Sequence, residues 1–253
     1  MRLPYDEAGR GSALVLLHAG IADRTMWREQ LAPLAAAGYR VIAVDLPGFG
    51  EAPVPTDEDA PWSDVLETMD ALGIERAALA GVSFGGAVAI RVAAVAPDRV
   101  TALASISAPP PDLEQPSPEL AAAWEAEMSA LKRGDIEAAV QAVVAAWTLP
   151  GATTELREHV AAMQRRALVA QTSAPEVPQA PDPLDRVGLT AIAVPALVAA
   201  GEHDVSDFRD GARRMADQLP NALHVEIAGA GHLAPLETPD AFRGLLLDFL
   251  ATI

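Results

Sequence analysis

Apolar positions along the chain fall into two kinds of run. Short blocks of small and β-branched residues, bounded by Gly, Pro or Asp, read as buried strands at Ala13–Leu17, Arg40–Asp45, Ala77–Val82, Thr101–Ser107, Pro195–Gly201 and Leu223–Ala228. Between them lie helical patterns at Met26–Ala37, Trp62–Leu72, Phe84–Ala96, Ser206–Leu219 and Pro239–Ala251. Pro239 suits a first helical turn, and Thr238 before it is placed to cap. Alternation of this kind predicts an α/β fold, a mostly parallel sheet with helices on both faces.

The alternation breaks once. No strand pattern appears from Pro109 to about Arg186; Pro109, Pro110 and Pro111 open the break, and Pro175, Pro178, Pro181 and Pro183 close it. Three amphipathic helices are expected inside. Their apolar stripes are Leu120, Trp124, Met128 and Leu131; Ile136, Val140, Val143 and Trp147; and Leu156, Val160, Met163 and Ala167. The expected organisation is a core of residues 1–110 and 186–253 with a helical insertion at 111–185.

Composition narrows the functions. The chain has 253 residues, 51% of them hydrophobic, with 18 basic and 35 acidic side chains and a net charge of −17. That length and apolar content fit one globular α/β domain with an insertion. The acidity argues against nucleic acid or an anionic membrane as partner, both of which need a basic footprint. The absence of cysteine excludes disulfides, thiolate metal sites and a Cys nucleophile. Lys132 is the only lysine, so lysine chemistry would have to use it. The first residues, with Asp6, Glu7 and Arg10, do not resemble a signal peptide, and no apolar run is long enough to span a bilayer. A cytoplasmic location is expected.

The sharpest chemical signal is Gly81-Val82-Ser83-Phe84-Gly85, where an expected strand turns into an expected helix. Such a turn needs glycine because strand and helix backbones approach closely. It raises the Ser83 hydroxyl above the sheet and puts the Phe84 N–H at a helix N-terminus, suited to an oxyanion. A serine hydroxyl needs a base that a third group orients. Of five histidines, His232 stands in the loop Gly229-Ala230-Gly231-His232 after the last expected strand. Asp204 follows the strand Pro195–Gly201; Glu202 and Asp207 are its rivals. The order Ser83, Asp204, His232 favours Asp204, and all three follow strand C-terminal ends, where open α/β sheets place their sites. The loop after the first strand, His18-Ala19-Gly20-Ile21, is expected to supply a second oxyanion donor, first the Gly20 N–H and behind it that of Ile21. His18 is expected to hold that loop, His224 lies inside a strand, and His159 is expected on a solvated helix face.

These stretches together resemble the α/β-hydrolase superfamily. The matching residues are Leu14–Gly20 through Trp27, Asp45–Gly50, Gly81–Gly86, Val194–Val198 with Gly201–Asp204, and Gly229–His232 with Pro235-Leu236-Glu237. The resemblance implies that 111–185 is the cap that roofs the family's pocket, and it is nearest to carboxylesterases, enol-lactonases and haloperoxidase-like perhydrolases. Two features depart from the pattern. Ala19 replaces the usual Gly after the histidine, and little room remains before Ala13 for the family's first strand, so the sheet is expected to be one strand short. Ser83 at the nucleophile position argues against the branches that use Asp.

The implied function is hydrolysis of a small, mostly apolar ester or lactone through an acyl-enzyme, with no metal or organic cofactor. The same triad used for C–C hydrolysis, perhydrolysis or cyclisation, or kept for ligand binding with negligible turnover, remains the alternative. Ile21, Phe84, Trp124, Met128 and Trp147 are candidate pocket residues, although a Met or Trp stripe on a helix is more often core. Arg133, Arg165 and Arg166 are candidates to bind a substrate carboxylate, although exposed helix arginines are more often simply solvated. Residues 111–185 hold 12 acids and 5 bases, so an acidic cap is expected to favour a neutral small molecule.

Overall fold

The computed structural model describes all 253 residues. Seven strands form one sheet: β1 (Tyr5–Ala8), β2 (Ser12–Leu17), β3 (Tyr39–Val44), β4 (Ala77–Val82), β5 (Val100–Ile106), β6 (Ala196–Gly201) and β7 (Ala222–Ile227), in the order β1-β3-β2-β4-β5-β6-β7. Every pairing is parallel except β1 with β3. The six strands expected from the sequence all form, within one residue at each end.

Two expectations about the sheet are corrected. A strand does form before Ala13. Tyr5–Ala8 pairs antiparallel with Val41–Val44 and needs only four residues, because an edge strand is held by one ladder. Its pattern of mostly half-buried residues carries no apolar run that a sequence scan would register. Strand β7 is not buried; it is the opposite edge, and it leaves Leu223 exposed.

Alternation along the central strands divides the core into two layers. Leu14 and Leu16 of β2, Val41 and Ala43 of β3 and Ala80 and Val82 of β4 face one side; Val15, Leu17, Ile42, Val44 and Leu79 face the other. The first layer packs with α1 (Arg28–Ala36) and, near the C-terminus, Phe242, Leu246 and Phe249. The second packs with α2 (Pro61–Ala71), α3 (Phe84–Val95) and Met215 further along the chain. Burial on both faces is what a parallel sheet requires of its strands.

Between β5 and β6 the chain forms α4 (Pro118–Lys132), α5 (Ile136–Trp147), α6 (Thr154–Thr172) and the short α7 (Leu184–Val187). Ser117, Asp135 and Thr153 cap α4, α5 and α6 through their side chains. The stripes expected on α5 and α6 are buried at Val140, Val143, Trp147, Val160, Met163 and Ala167. The α4 stripe is not: Leu120 is buried, but Trp124 and Met128 are 42% and 47% exposed. The segment is tied to the sheet side by Arg166 to Asp23 at 2.7 Å and by Gln171 to the Gly48 carbonyl at 3.1 Å.

The chain ends in α8 (Ser206–Gln218), α9 (Ala234–Glu237) and α10 (Pro239–Leu250). Pro239 occupies the first turn of α10, as expected. Thr238 does not cap it; its hydroxyl donates to the Ala234 carbonyl at 3.3 Å, closing α9 instead. No helix is long and apolar enough to cross a membrane.

Candidate active site

Ser83 joins β4 to α3 with φ 52° and ψ −117°, a backbone that L-residues rarely adopt. Neighbouring glycines make it possible. A Cβ on Gly81 would collide with the Gly85 carbonyl, and one on Gly85 would collide with the Leu17 and His18 carbonyls. The Ser83 N–H is bonded to the Ile106 carbonyl at 2.7 Å, which ties the turn to the end of β5. The Phe84 N–H begins α3. A Cβ on Gly20 would come within 3.3 Å of the Phe84 Cβ, so the two loops expected to supply N–H donors lie against each other.

The histidine and the acid come together. His232 Nδ1 donates to Asp204, 3.0 Å from Oδ1 and 3.2 Å from Oδ2, and both side chains are almost wholly buried. Because an ionised carboxylate only accepts, this bond places the proton on Nδ1 and leaves Nε2 as a lone-pair base. Two loops are stitched to make the contact. The His203 N–H donates to the Ala230 carbonyl at 2.8 Å, and a Cβ on Gly201 would strike Ala230 and Gly231. Asp204 also accepts the Val205 N–H at 2.8 Å. Its rivals are engaged elsewhere: Glu202 accepts the Gly229 N–H, and Asp207 accepts the Ser117 N–H.

No hydrogen bond joins Ser83 Oγ to His232. The imidazole stands between two rings, with Trp147 at 4.5 Å and Phe208 at 4.6 Å between centroids. Trp147, Phe208, Leu120 and Val143 form their own small apolar cluster. Trp147 is among the expected pocket residues; Phe208 is not.

His18 holds its loop as expected. It is fully buried, its Nδ1 donates to the Ala19 carbonyl at 2.8 Å, and its Nε2 accepts the Leu46 N–H at 2.9 Å. Burial lowers its pKa and keeps it neutral. Ala19 is itself buried without disturbing this arrangement. His159 is not on a solvated face. Its Nε2 lies 2.9 Å from Thr25 Oγ1, whose proton goes to Asp23, so the imidazole donates; burial lowers its pKa too. The insertion arginines are engaged: Arg165 pairs with Glu137, Arg166 with Asp23, and Arg133 bonds Ser129.

Two recesses border the candidate residues, one at His232 and one at Phe84. One, of about 1450 Å³, is lined by Asp204, His232, Trp147, Leu149 and Glu237. The other, of about 430 Å³, is lined by Phe84, Phe49, Pro47, Val54 and Gln171. His18, Phe49 and Phe84 form a line of ring contacts beneath the second, at 5.1 and 6.0 Å. No cluster of three or more His, Cys, Asp or Glu side chains is arranged to hold a metal ion.

The sequence profile of the alpha/beta hydrolase fold matches residues 12–239. Among characterised proteins, 2-hydroxy-6-oxo-6-phenylhexa-2,4-dienoate hydrolase of Burkholderia cepacia is 32% identical, over 99% of this chain and 91% of its own length. Among solved structures, the enol-lactonase from Burkholderia xenovorans superposes with a TM-score of 0.80 at 27% identity, covering 98% of this chain and 96% of that one. A thermophilic esterase from Thermogutta terrifontis superposes with a TM-score of 0.78, also at 27% identity, covering 99% and 93%.

Proposed function

The chain belongs to the alpha/beta hydrolase family, and on that premise we propose that it is a serine hydrolase cleaving a small, mostly apolar carboxylic ester or lactone. The observation that carries this reading is the buried Asp204–His232 hydrogen bond, which leaves Nε2 as the base; Ser83, on its strained strand-to-helix turn, is the nucleophile this scheme assigns.

In this reading Ser83 Oγ attacks the carbonyl carbon as His232 Nε2 takes its proton. Asp204 holds the ring and balances the imidazolium. The N–H groups of Phe84 and Gly20 receive the negative oxygen, which gains most where donors are already in place. The imidazolium then protonates the leaving alkoxide. Water, deprotonated by His232, releases the acid and restores Ser83. Catalytic hydrogen bonds are commonly long in substrate-free sites and tighten around substrate; the missing Ser83–His232 bond is consistent with that.

Residues 111–185 act as a cap in this scheme. Trp147 and Phe208 pack on the His232 ring, and Phe49 and Phe84 line the smaller recess, which offers apolar surface to one part of the substrate. The engaged arginines and the excess of acids in 111–185 favour a neutral small molecule.

One observation favours a second reading. The Burkholderia cepacia relative is named for hydrolysis of a dienoate, and its likeness spans nearly the whole chain. The same residues could support C–C cleavage, with His232 serving proton transfers and activated water as nucleophile. A panel of p-nitrophenyl esters, small lactones and a vinylogous 1,5-diketone acid separates the two. The ester reading predicts turnover of short neutral esters or lactones at kcat/KM well above that of the diketone acid; the reverse ranking refutes it.

A further inference from the structure

The His232 loop is held by a carboxylate that the chemistry above does not use. Glu237 is the last residue of α9. Its Oε2 accepts the Gly231 N–H at 2.9 Å and the Leu233 N–H at 3.1 Å, the residues on either side of His232. Its Oε1 accepts the Leu149 N–H at 3.0 Å. Leu149 belongs to the helical insertion, two residues beyond Trp147, whose ring stands on the His232 imidazole.

The fit around this carboxylate is close. A Cβ on Gly231 would lie 3.0 Å from Glu237 Oε2 and 2.9 Å from Leu149 Cδ2. The Leu149 peptide is fixed on its other side as well, because Arg157 donates to the Leu149 carbonyl at 2.7 Å and to the Pro150 carbonyl at 3.2 Å. A continuous line therefore runs from Arg157 on α6 through the Leu149 peptide and Glu237 to both flanks of His232. Burial raises the Glu237 pKa, against the pull of three N–H groups and the nearby imidazole. A glutamate kept in so costly a place spends all its bonds on the histidine loop and the insertion. An apolar side chain there would leave three backbone donors to find other partners.

We propose that Glu237 is a positioning residue that aligns His232 with Ser83 and makes that alignment depend on how the 111–185 helices are seated. The inference rests on the reading of His232 as general base. Glu237 borders the recess beside His232 but takes no bond-making part in the scheme above; it acts by fixing the two peptides between which His232 is hung. Its loss leaves the substrate surfaces at Phe49, Phe84 and Trp147 in place and moves the base. The cost falls on kcat rather than KM.

The test compares wild type, Glu237→Gln, Leu149→Pro, the double variant and His232→Ala on p-nitrophenyl butyrate, below the Tm of every variant. Glutamine preserves the shape but replaces one accepting oxygen with an NH₂ group. Proline at 149 deletes the N–H of the insertion, and Thr148 before it already has the extended backbone (φ −118°, ψ 144°) that proline requires. Glu237→Gln is expected to lower kcat by roughly tenfold to a hundredfold, the scale of a small misplacement of a catalytic group, with KM changed by less than about twofold. Leu149→Pro is expected to lower kcat in the same sense, with little further loss in the double variant. A wild-type kcat in Glu237→Gln, or a raised KM with kcat unchanged, overturns the proposal. Fully additive losses in the double variant overturn the link to the insertion. Turnover retained in His232→Ala overturns the general-base reading and this proposal with it; turnover lost there beside a wild-type kcat in Glu237→Gln overturns the role of Glu237 alone.

Discussion

Asp204 and His232 meet at 3.0 Å with almost no solvent at either side chain, and the bond fixes which imidazole nitrogen carries the proton. Asparagine at 204 would offer an amide that can donate as well as accept, so the ring is free to take the other tautomer or turn. Asp204→Asn is expected to lower kcat by about 10³- to 10⁴-fold, the loss seen for this change in a serine protease triad. Steady-state kinetics with circular dichroism checks it; a loss below tenfold in a folded variant contradicts the assignment of the acid.

Ser83 is held at φ 52° and ψ −117°, so its Cβ contributes strain that only the hydroxyl's chemistry justifies. Ser83→Ala and Ser83→Gly both remove the hydroxyl, but only glycine relieves the backbone. Strain of about 1–3 kcal/mol outweighs glycine's unfolded-state disadvantage of about 0.5–1 kcal/mol. Ser83→Gly is expected to be the more stable of the two by about 1 kcal/mol, reversing the usual order. Urea unfolding of the two inactive variants measures this.

The fold and the site were legible to different depths. Strand–helix alternation and the glycines at 81, 85 and 86 are local signals, and they place the sheet and the Ser83 turn within a residue. Chain order alone prefers Asp204, and hydrogen bonding separates it from Glu202 and Asp207 in the same way. What escaped the sequence depends on contacts distant along the chain. Phe208 against His232, Glu237 against Leu149, and His159 against Thr25 each join elements that no local pattern relates. Trp124 and Met128 repeat with core spacing, yet their side of α4 meets solvent, because a stripe identifies an apolar face without naming what covers it. Tyr5–Ala8 was missed because an edge strand needs backbone pairing more than apolar side chains.

Asp23 links stability to pH. Burial alone would raise its pKa, but hydrogen bonds from Thr25 and the pairing with Arg166 outweigh burial and hold the carboxyl below the ordinary range. A folded pKa below the unfolded one means the stabilisation is present above about pH 4 and is lost as pH falls through the folded value. Asp23→Asn is expected to cost about 2 kcal/mol near neutrality, with the difference from wild type shrinking below pH 4. Thermal unfolding from pH 2.5 to 7 tests the sign; a gap that widens in acid refutes it.

The acidic insertion makes a prediction about salt. Its field should hinder anionic substrates and leave neutral ones unaffected. Raising ionic strength from about 0.01 to 0.3 M shortens the screening length several-fold. It is expected to increase kcat/KM for an ester bearing a carboxylate while leaving that of its neutral isostere nearly constant. Equal salt responses remove the argument for a neutral substrate.

The central claim is that Ser83 is the nucleophile, and mass spectrometry after rapid quench tests it most directly. Mixed with excess p-nitrophenyl acetate and quenched in acid within the first turnovers, the wild-type protein is expected to carry one acetyl group on the peptide containing Ser83, with a matching burst of nitrophenolate. Ser83→Ala is expected to show neither adduct nor turnover. An acetyl group on another residue, or wild-type hydrolysis by Ser83→Ala, contradicts the account.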